Sequence, residues 1–316
     1  MVADTSLTQN SIQHSAQTAS AQFYQWHDQR CAYEIRSASS TAENSNHPPL
    51  LLLHPIGVGL SRRFWDRFCD GWFQSAQPNS IYNPDLLGCG ESSMPHRPYR
   101  PEDWADQLLH FMQTVIQQPV ILVVQGALLP VAVALIQKAA PTQIRGLVLS
   151  GPPAWKVMTE PTPEWKHQLN WRLFDSPIGL GFFQYARSRR FLQSFSIRQL
   201  FASAEDVDQN WLNMLIAGAE NSASRHAVFS FLSGFWRRNW QDAIVHLTPP
   251  TLVVIGNVAS SISKSGKSET PDERLQDYLK YLPNGQGIQI PGRNVLPYES
   301  TQGFVEAIVP FIQQQT

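Results

Sequence analysis

The chain has 316 residues, 42% of them hydrophobic, and its 24 Lys and Arg against 25 Asp and Glu leave a formal net charge of −1. That length can bury a large core, as one α/β domain with an insertion or as two domains, and nothing in the balanced charge suggests a nucleic-acid footprint or a polybasic membrane patch. Cys31, Cys69 and Cys89 form no CxxC pair, which argues against a disulfide scaffold or a zinc ribbon and fits a reducing, cytoplasmic setting.

Residues 1–21 are rich in Ser, Thr, Gln and Ala without apolar periodicity, so they read as a disordered tail rather than a secretory or organelle-targeting segment. Gln22 to Ser37 reads as two short strands around a His-Asp turn. Leu50 to His54 is a central-strand run. Ser61 to Phe73 reads as a helix, with Ser61 as N-cap and Phe64, Trp65, Phe68 and Trp72 at helical spacing. A strand over Ser80–Leu87 ends in LGCGESS, and Pro101–Gln117 is an amphipathic helix. Pro119 to Ile136 is nearly long enough to span a bilayer, but Gln125, Gly126 and Pro130 interrupt it. It reads as a buried strand, 119–125, turning directly into a helix, 127–140. A strand over 144–149 follows.

From Gly151 to about Leu247 the strand signal disappears and the chain is helical and rich in Trp and Phe. Alternation returns with strand 251–256, helix 271–281, strand 287–290 and helix 302–314. The pattern predicts a mostly parallel sheet covered on both faces, interrupted by a helical insertion. The expected division is a core of residues 22–150 and 248–316 and a cap of residues 151–247.

Five motifs in order carry a resemblance: LLLLHPIG (50–57), NPDLLGCGES (83–92), the strand–turn–helix at 120–135, TLVVIG (251–256) and PGRNVLPYES (291–300). Together they resemble the α/β-hydrolase fold with a helical cap, over roughly residues 22–315. A narrower resemblance is to hydrolase-like proteins of photosynthetic bacteria. The resemblance implies a nucleophile, an acid and a histidine in that chain order. Aligned by motif, these positions hold Gly126, Ala259 and Val295, none of which can attack, orient or take a proton. Neighbours do not rescue the chemistry: Gln125 and Ala127 flank the first position, Arg293 and Asn294 the last, and Ser150-Gly151-Pro152-Pro153 offers no acid. Val124 and Leu128 stand where the resemblance implies glycines, so a crowded, relaxed turn is expected.

His54 and Cys89 are the fallback catalytic candidates. His54 reads more readily as a loop anchor, and Cys89 as a small half-buried side chain with His54 or His96 as its only local bases. Asp85 resembles a structural acid, and Ser92 and Ser93 read as turn stabilisers. SKSGKSET (263–270) lacks the glycine of a phosphate loop and reads as a flexible polar segment. Arg187, Arg189, Arg190, Arg237 and Arg238 read as a solvated face. Among the cap aromatics, Trp155, Trp165, Trp171, Phe182, Phe183, Trp211, Phe235, Trp236 and Trp240, most are expected in its core and a few around a cavity.

The expectation is a pseudoenzyme: a non-hydrolytic α/β-hydrolase-fold protein binding an apolar small molecule or a protein partner. The expected ligand pocket comprises His54, Ile56, Gln125, Gly126, Ala127, Trp155 and Val295, and the backbone N–H groups of Ile56 and Ala127 are candidates to hold a carbonyl or carboxylate. No cofactor, metal, nucleic acid or transmembrane segment is implied. The alternatives are an enzyme with relocated catalytic residues and an interaction scaffold with a filled cleft.

Overall fold

The computed structural model describes residues 20–37 and 47–315, so most of the stretch read as a tail lies outside the described residues. Eight strands are formed: β1 (Gln22–Trp26), β2 (Gln29–Arg36), β3 (Leu50–Leu53), β4 (Ile81–Pro84), β5 (Val120–Gln125), β6 (Ile144–Ser150), β7 (Thr251–Gly256) and β8 (Gly285–Ile290). They make one sheet in the order β1-β2-β4-β3-β5-β6-β7-β8. The β1–β2 hairpin and the β2–β4 pairing are antiparallel, and every pairing from β4 to β8 is parallel.

The apolar runs seen in the sequence become the central strands because both faces of the sheet are covered. Alternate residues go to opposite sides. Leu51, Leu53, Leu122, Val124, Leu147 and Leu149 belong to one core layer, Leu50, Leu52, Ile121, Val123 and Val148 to the other. The second layer includes α1 (Asp66–Gln74), which enters through a 3-10 turn, Arg62–Trp65, capped by the Ser61 hydroxyl. The first includes α2 (Pro101–Phe111) and α3 (Leu129–Lys138).

Between β6 and β7 the described residues are helical: α4 (Trp155–Thr159), α5 (Glu164–Phe174), α6 (Pro177–Ala186), α7 (Arg189–Phe195), α8 (Gln209–Gly218), α9 (Arg225–Ser233) and α10 (Gln241–Ile244). The chain closes with α11 (Pro271–Tyr281), α12 (Leu296–Glu299) and α13 (Thr301–Gln313). Phe304 of α13 packs edge-on against Phe68 of α1, with ring centroids 5.7 Å apart. Among the described residues no helix is long and apolar enough to cross a membrane. The apolar stretch 119–136 is divided at Gly126 into β5 and the start of α3's turn.

Two contacts fix the loop after β3. In the first, Arg62, 1% exposed, reaches three acids: its guanidinium pairs with Glu34 of β2 at 3.1 Å, with Asp85 beyond β4, and with Glu91 at 2.5 Å. Asp85 also accepts from the backbone N–H of Arg62 at 2.8 Å and of Glu91 at 2.8 Å. Asp85 is thus held by the fold, as are its turn partners. The Ser92 hydroxyl donates to the Asp85 carbonyl and accepts from the Ala32 N–H, both at 2.9 Å, and Ser93 Oγ accepts from the Arg30 N–H at 3.1 Å. In the second contact the loop meets α8 backbone to backbone. A Cβ on Gly59 would lie 1.8 Å from the Leu215 carbonyl oxygen, and one on Gly218 would lie 2.1 Å from that of Gly59. Only glycine permits this crossing.

The charge cluster makes a prediction. Arg62→Met leaves Asp85 buried without its cation, while Glu34 keeps Arg36 at 3.2 Å and Arg63 at 3.0 Å; breaking such a buried pair typically costs about 3–5 kcal/mol. The urea midpoint should fall accordingly at unchanged m-value. A loss below about 1 kcal/mol, the scale of an exposed pair, would mean that the cluster is solvated.

Candidate functional site

β5 delivers six buried residues to the carboxyl edge of the sheet, where the chain reverses into a helix. Gly126 makes that reversal with φ +61°, the left-handed region that glycine adopts without strain. The relaxed turn expected from Val124 and Leu128 is not what forms. A Cβ on Gly126 would find no heavy atom closer than the Gly151 carbonyl oxygen at 4.0 Å, so neither side chain crowds it. Val124 points into the core layer instead, and the turn stays sharp and open.

That opening is the floor of a cavity of about 590 Å³ whose walls come from the sheet edge and from the inserted helices. Ile56, Gln125, Gly126, Ala127 and Val295 line it together. Ala259 is buried beside it, while its neighbours Ser260 and Ser261 reach the wall. Two residues expected there are elsewhere. His54 is wholly buried behind the loop, and Trp155 stacks on Tyr281 at 4.6 Å and lines a separate surface depression with Lys156 and Glu269. The indole is held there by its stack on Tyr281, and the Trp155 backbone N–H at the start of α4 donates to the Glu269 carboxylate at 3.0 Å.

The strand ends are joined by amides. The Ser150 hydroxyl donates to Gln125 Oε1 at 2.7 Å, and Gln125 Nε2 donates to the Asn294 carbonyl at 2.7 Å. Asn294 Nδ2 donates to the carbonyls of Ser260 at 2.9 Å and Gln199 at 2.7 Å. The loops bearing positions 126, 259 and 295 are therefore stitched into one surface. Sequence reading placed Gln125 in the pocket but had no signal for its partners, since each bond spans a different strand.

The fallback nucleophile and base are not on the cavity wall. Burial holds His54 below the usual histidine range. Its Nε2 lies 3.0 Å from the Leu86 N–H it accepts from, and Nδ1 lies 3.0 Å from the Pro55 carbonyl. Both nitrogens are occupied by the loop. The Cys89 thiol is buried, pushed up by that burial and by Asp85, and His96 turns away from it to pair with Asp175 at 2.7 Å.

The remaining wall is apolar with polar edges. Phe182 of α6, Trp211 of α8 and Trp236 in the turn after α9 line the cavity. Trp171, Phe183, Phe235 and Trp240 are core, whereas Trp165 is 63% exposed, against expectation, because it points outward from α5. The arginines do not act as one face. Arg189 and Arg190 are solvated, Arg238 pairs with Glu102, and Arg237 lines the cavity with its guanidinium 3.0 Å from Ser263 Oγ. Ser263, from the stretch read as a flexible polar loop, reaches the wall as well, and Thr270 ends that stretch as the capping box of α11. Among the described residues the wall carries no His, Cys, Asp, Glu, Lys or Tyr, so its ionisable groups are Arg237 and Arg274.

The sequence profile of the alpha/beta hydrolase family matches residues 50–307. No curated protein matches the chain. Solved structures similar to it include a thermophilic esterase from Thermogutta terrifontis (19% identity, TM-score 0.67, covering 90% of this chain and 94% of that one). An enol-lactonase from Burkholderia xenovorans is also similar (13%, 0.69, 92% and 100%), as is a bromoperoxidase from Bacillus anthracis (16%, 0.68, 93% and 100%). At these identities the likeness is one of fold, and the fold hosts several chemistries.

Two predictions arise from this geometry. Gly126→Ala should fold, with a cost of roughly 1–2 kcal/mol for the left-handed backbone and none for space. A loss above about 3 kcal/mol in chemical denaturation would show that the turn is closed over. The second concerns Glu299, which accepts from the Arg293 N–H through Oε1 while Oε2 is buried without a partner. Burial, with Asp206 adding to it, raises this carboxyl to about 7. An acid raised in the folded state contributes stability that is complete below its ordinary value near 4.5 and is lost as pH rises through about 7. Glu299→Gln should remove that slope from urea midpoints measured between pH 4.5 and 8. Parallel profiles for the two proteins would refute it.

Proposed function

The chain belongs to the alpha/beta hydrolase family, and from that premise we propose that it binds an apolar small molecule without hydrolysing it. The observation that carries this reading is the composition of the cavity wall: about 590 Å³ of largely apolar space with no side chain able to serve as a base near neutral pH. In an acyl-transfer site the nucleophile projects from the strand–helix turn and gives its proton to an imidazole. Here that turn presents Gly126, and Val295 occupies the loop expected to bring the imidazole.

What is kept is the part of such a site made by backbone and shape. The loop at Ile56 and the turn at Ala127 sit on the same wall, so their N–H groups are the proposed anchor for a carbonyl or carboxylate at one end of the ligand. Arg237, beyond α9, adds a charge to the lining. Residues 151–247 act as a cap, setting the size of the apolar chamber through Phe182, Trp211 and Trp236. The open volume does not favour a scaffold with a filled cleft, and the burial of His54 and Cys89 does not favour relocated catalysis.

The test combines two measurements on the purified chain. Fluorophosphonate probes should label no serine, and short-chain esters should be hydrolysed no faster than by the urea-denatured protein. Native mass spectrometry of protein taken from its own cells should show an added small-molecule mass that Leu215→Trp, which fills the cavity, removes. Stoichiometric labelling of a serine, blocked by competing ester, would overturn the reading. So would a wild-type spectrum with no adduct together with no binding of medium-chain fatty acids or their esters at 100-fold molar excess.

A further inference from the structure

Outside the cavity, His96, Asp175 and His226 come together from three distant parts of the chain, with one ligand atom from each lying within 4.8 Å of the others. His96 stands in the loop before α2, Asp175 ends α5, and His226 is in the first turn of α9. The His96 Nε2 is 2.7 Å from Asp175 Oδ1. The two imidazoles stack with centroids 4.4 Å apart and planes 18° from parallel. His226 is only 4% exposed, yet neither of its ring nitrogens has a hydrogen-bond partner. A buried imidazole must place one donor and one acceptor, and leaving both empty is costly. Such an orphaned group calls for an ion or a water.

We propose that His96, Asp175 and His226 form a binding site for a divalent cation of the zinc class, joining the loop before α2 to the inserted helices. Two imidazoles and one carboxylate suit zinc, and exclude magnesium as the preferred ion. Bonds of about 2.0–2.2 Å in a tetrahedral site put neighbouring donors roughly 3.3 Å apart. Coordination requires the 2.7 Å His96–Asp175 contact to open and the His226 ring to turn out of its stack, from a starting separation within 4.8 Å. The exposed side of His96 leaves the fourth position to water. α9 is already held to this loop, since the Tyr99 N–H donates to Ser230 Oγ at 2.9 Å. The sequence offered no sign of the site because its ligands are separated by 79 and 51 positions.

None of the three residues lines the cavity, so the site stands whether or not the cavity binds a ligand. Bound metal ties α5 and α9 to the core and should resist their separation from it. The experiment uses the full chain, stripped with EDTA and titrated with Zn2+ against a chromophoric chelator, with Tm recorded in parallel. One zinc per chain should bind in the micromolar range or tighter. Zinc at 100 times its Kd should raise Tm by about 4 °C, and Mg2+ at the same concentration should leave Tm unchanged. His96→Ala, at an exposed position, and Asp175→Asn should each weaken binding at least tenfold and abolish the Tm shift. His226→Gln should do the same, while His246→Ala, an exposed histidine elsewhere, should not. Absence of zinc binding below 100 μM, or binding within threefold of wild type in any of the three site variants, would overturn the proposal.

Discussion

A single buried guanidinium organises the carboxyl edge of this sheet. Arg62 sits between Glu34 of β2 and Asp85 beyond β4, and its own backbone N–H is held by the same Asp85. Taking these charges out of water is expensive, and the arrangement persists because geometry and hydrogen bonds compensate nearly every lone pair. The consequence is positional. The loop leaving β3 and the turn leaving β4 cannot shift independently, and His54 adds a second tie by accepting from the Leu86 N–H. Everything above the sheet edge is built on that fixed pair of loops.

The chamber inherits its shape from them. Ile56 and Gly57 form one side because the loop is pinned at Arg62, and Gly59 lets α8 approach to backbone contact. Gly126 forms the floor because a strand entering a helix at that angle needs a positive φ. Where a hydrolase of this fold relies on an imidazole and a carboxylate to connect its loops, this chain relies on neutral amides, Gln125 and Asn294, with Ser150. Amides hold loops together equally well at any physiological pH, but they do not exchange protons. The rigidity of this edge is carried by hydrogen bonds and backbone, and among the described residues the cavity wall carries no His, Cys, Asp, Glu, Lys or Tyr.

The inserted helices are tied to the core in several different ways. The Gly59–Gly218 crossing is steric, the Tyr99–Ser230 bond is polar, and the Arg67–Asp208 and Arg238–Glu102 pairs are ionic. Tyr298 of α12 also donates to Asp208 at 3.0 Å, so the last helices grip α8 near the site. The His96–Asp175–His226 cluster lies on this same seam.

Local pattern was enough to determine the sheet and its helices. Runs such as LLLL and TLVVIG are apolar on both faces, and only a doubly covered parallel strand accommodates that. Ser61 marked a helix start because a cap acts within one turn, whereas the Thr270–Glu273 capping box emerged only in the structure. The absence of ionisable groups at positions 126, 259 and 295 was equally legible, being a matter of residue identity. What the sequence did not determine is where side chains with a choice of partners go. Trp155 left the expected pocket for Glu269 and Tyr281, Trp165 faced outward, and Arg237 turned inward, all by contacts between distant segments. The turn at Gly126 stayed open although its flanking residues suggested otherwise, since Val124 found room in a core layer that only the assembled sheet creates. Periodicity and capping act over a few residues and are written in the chain, whereas cavity walls and buried pairs are set by which surfaces the fold brings face to face.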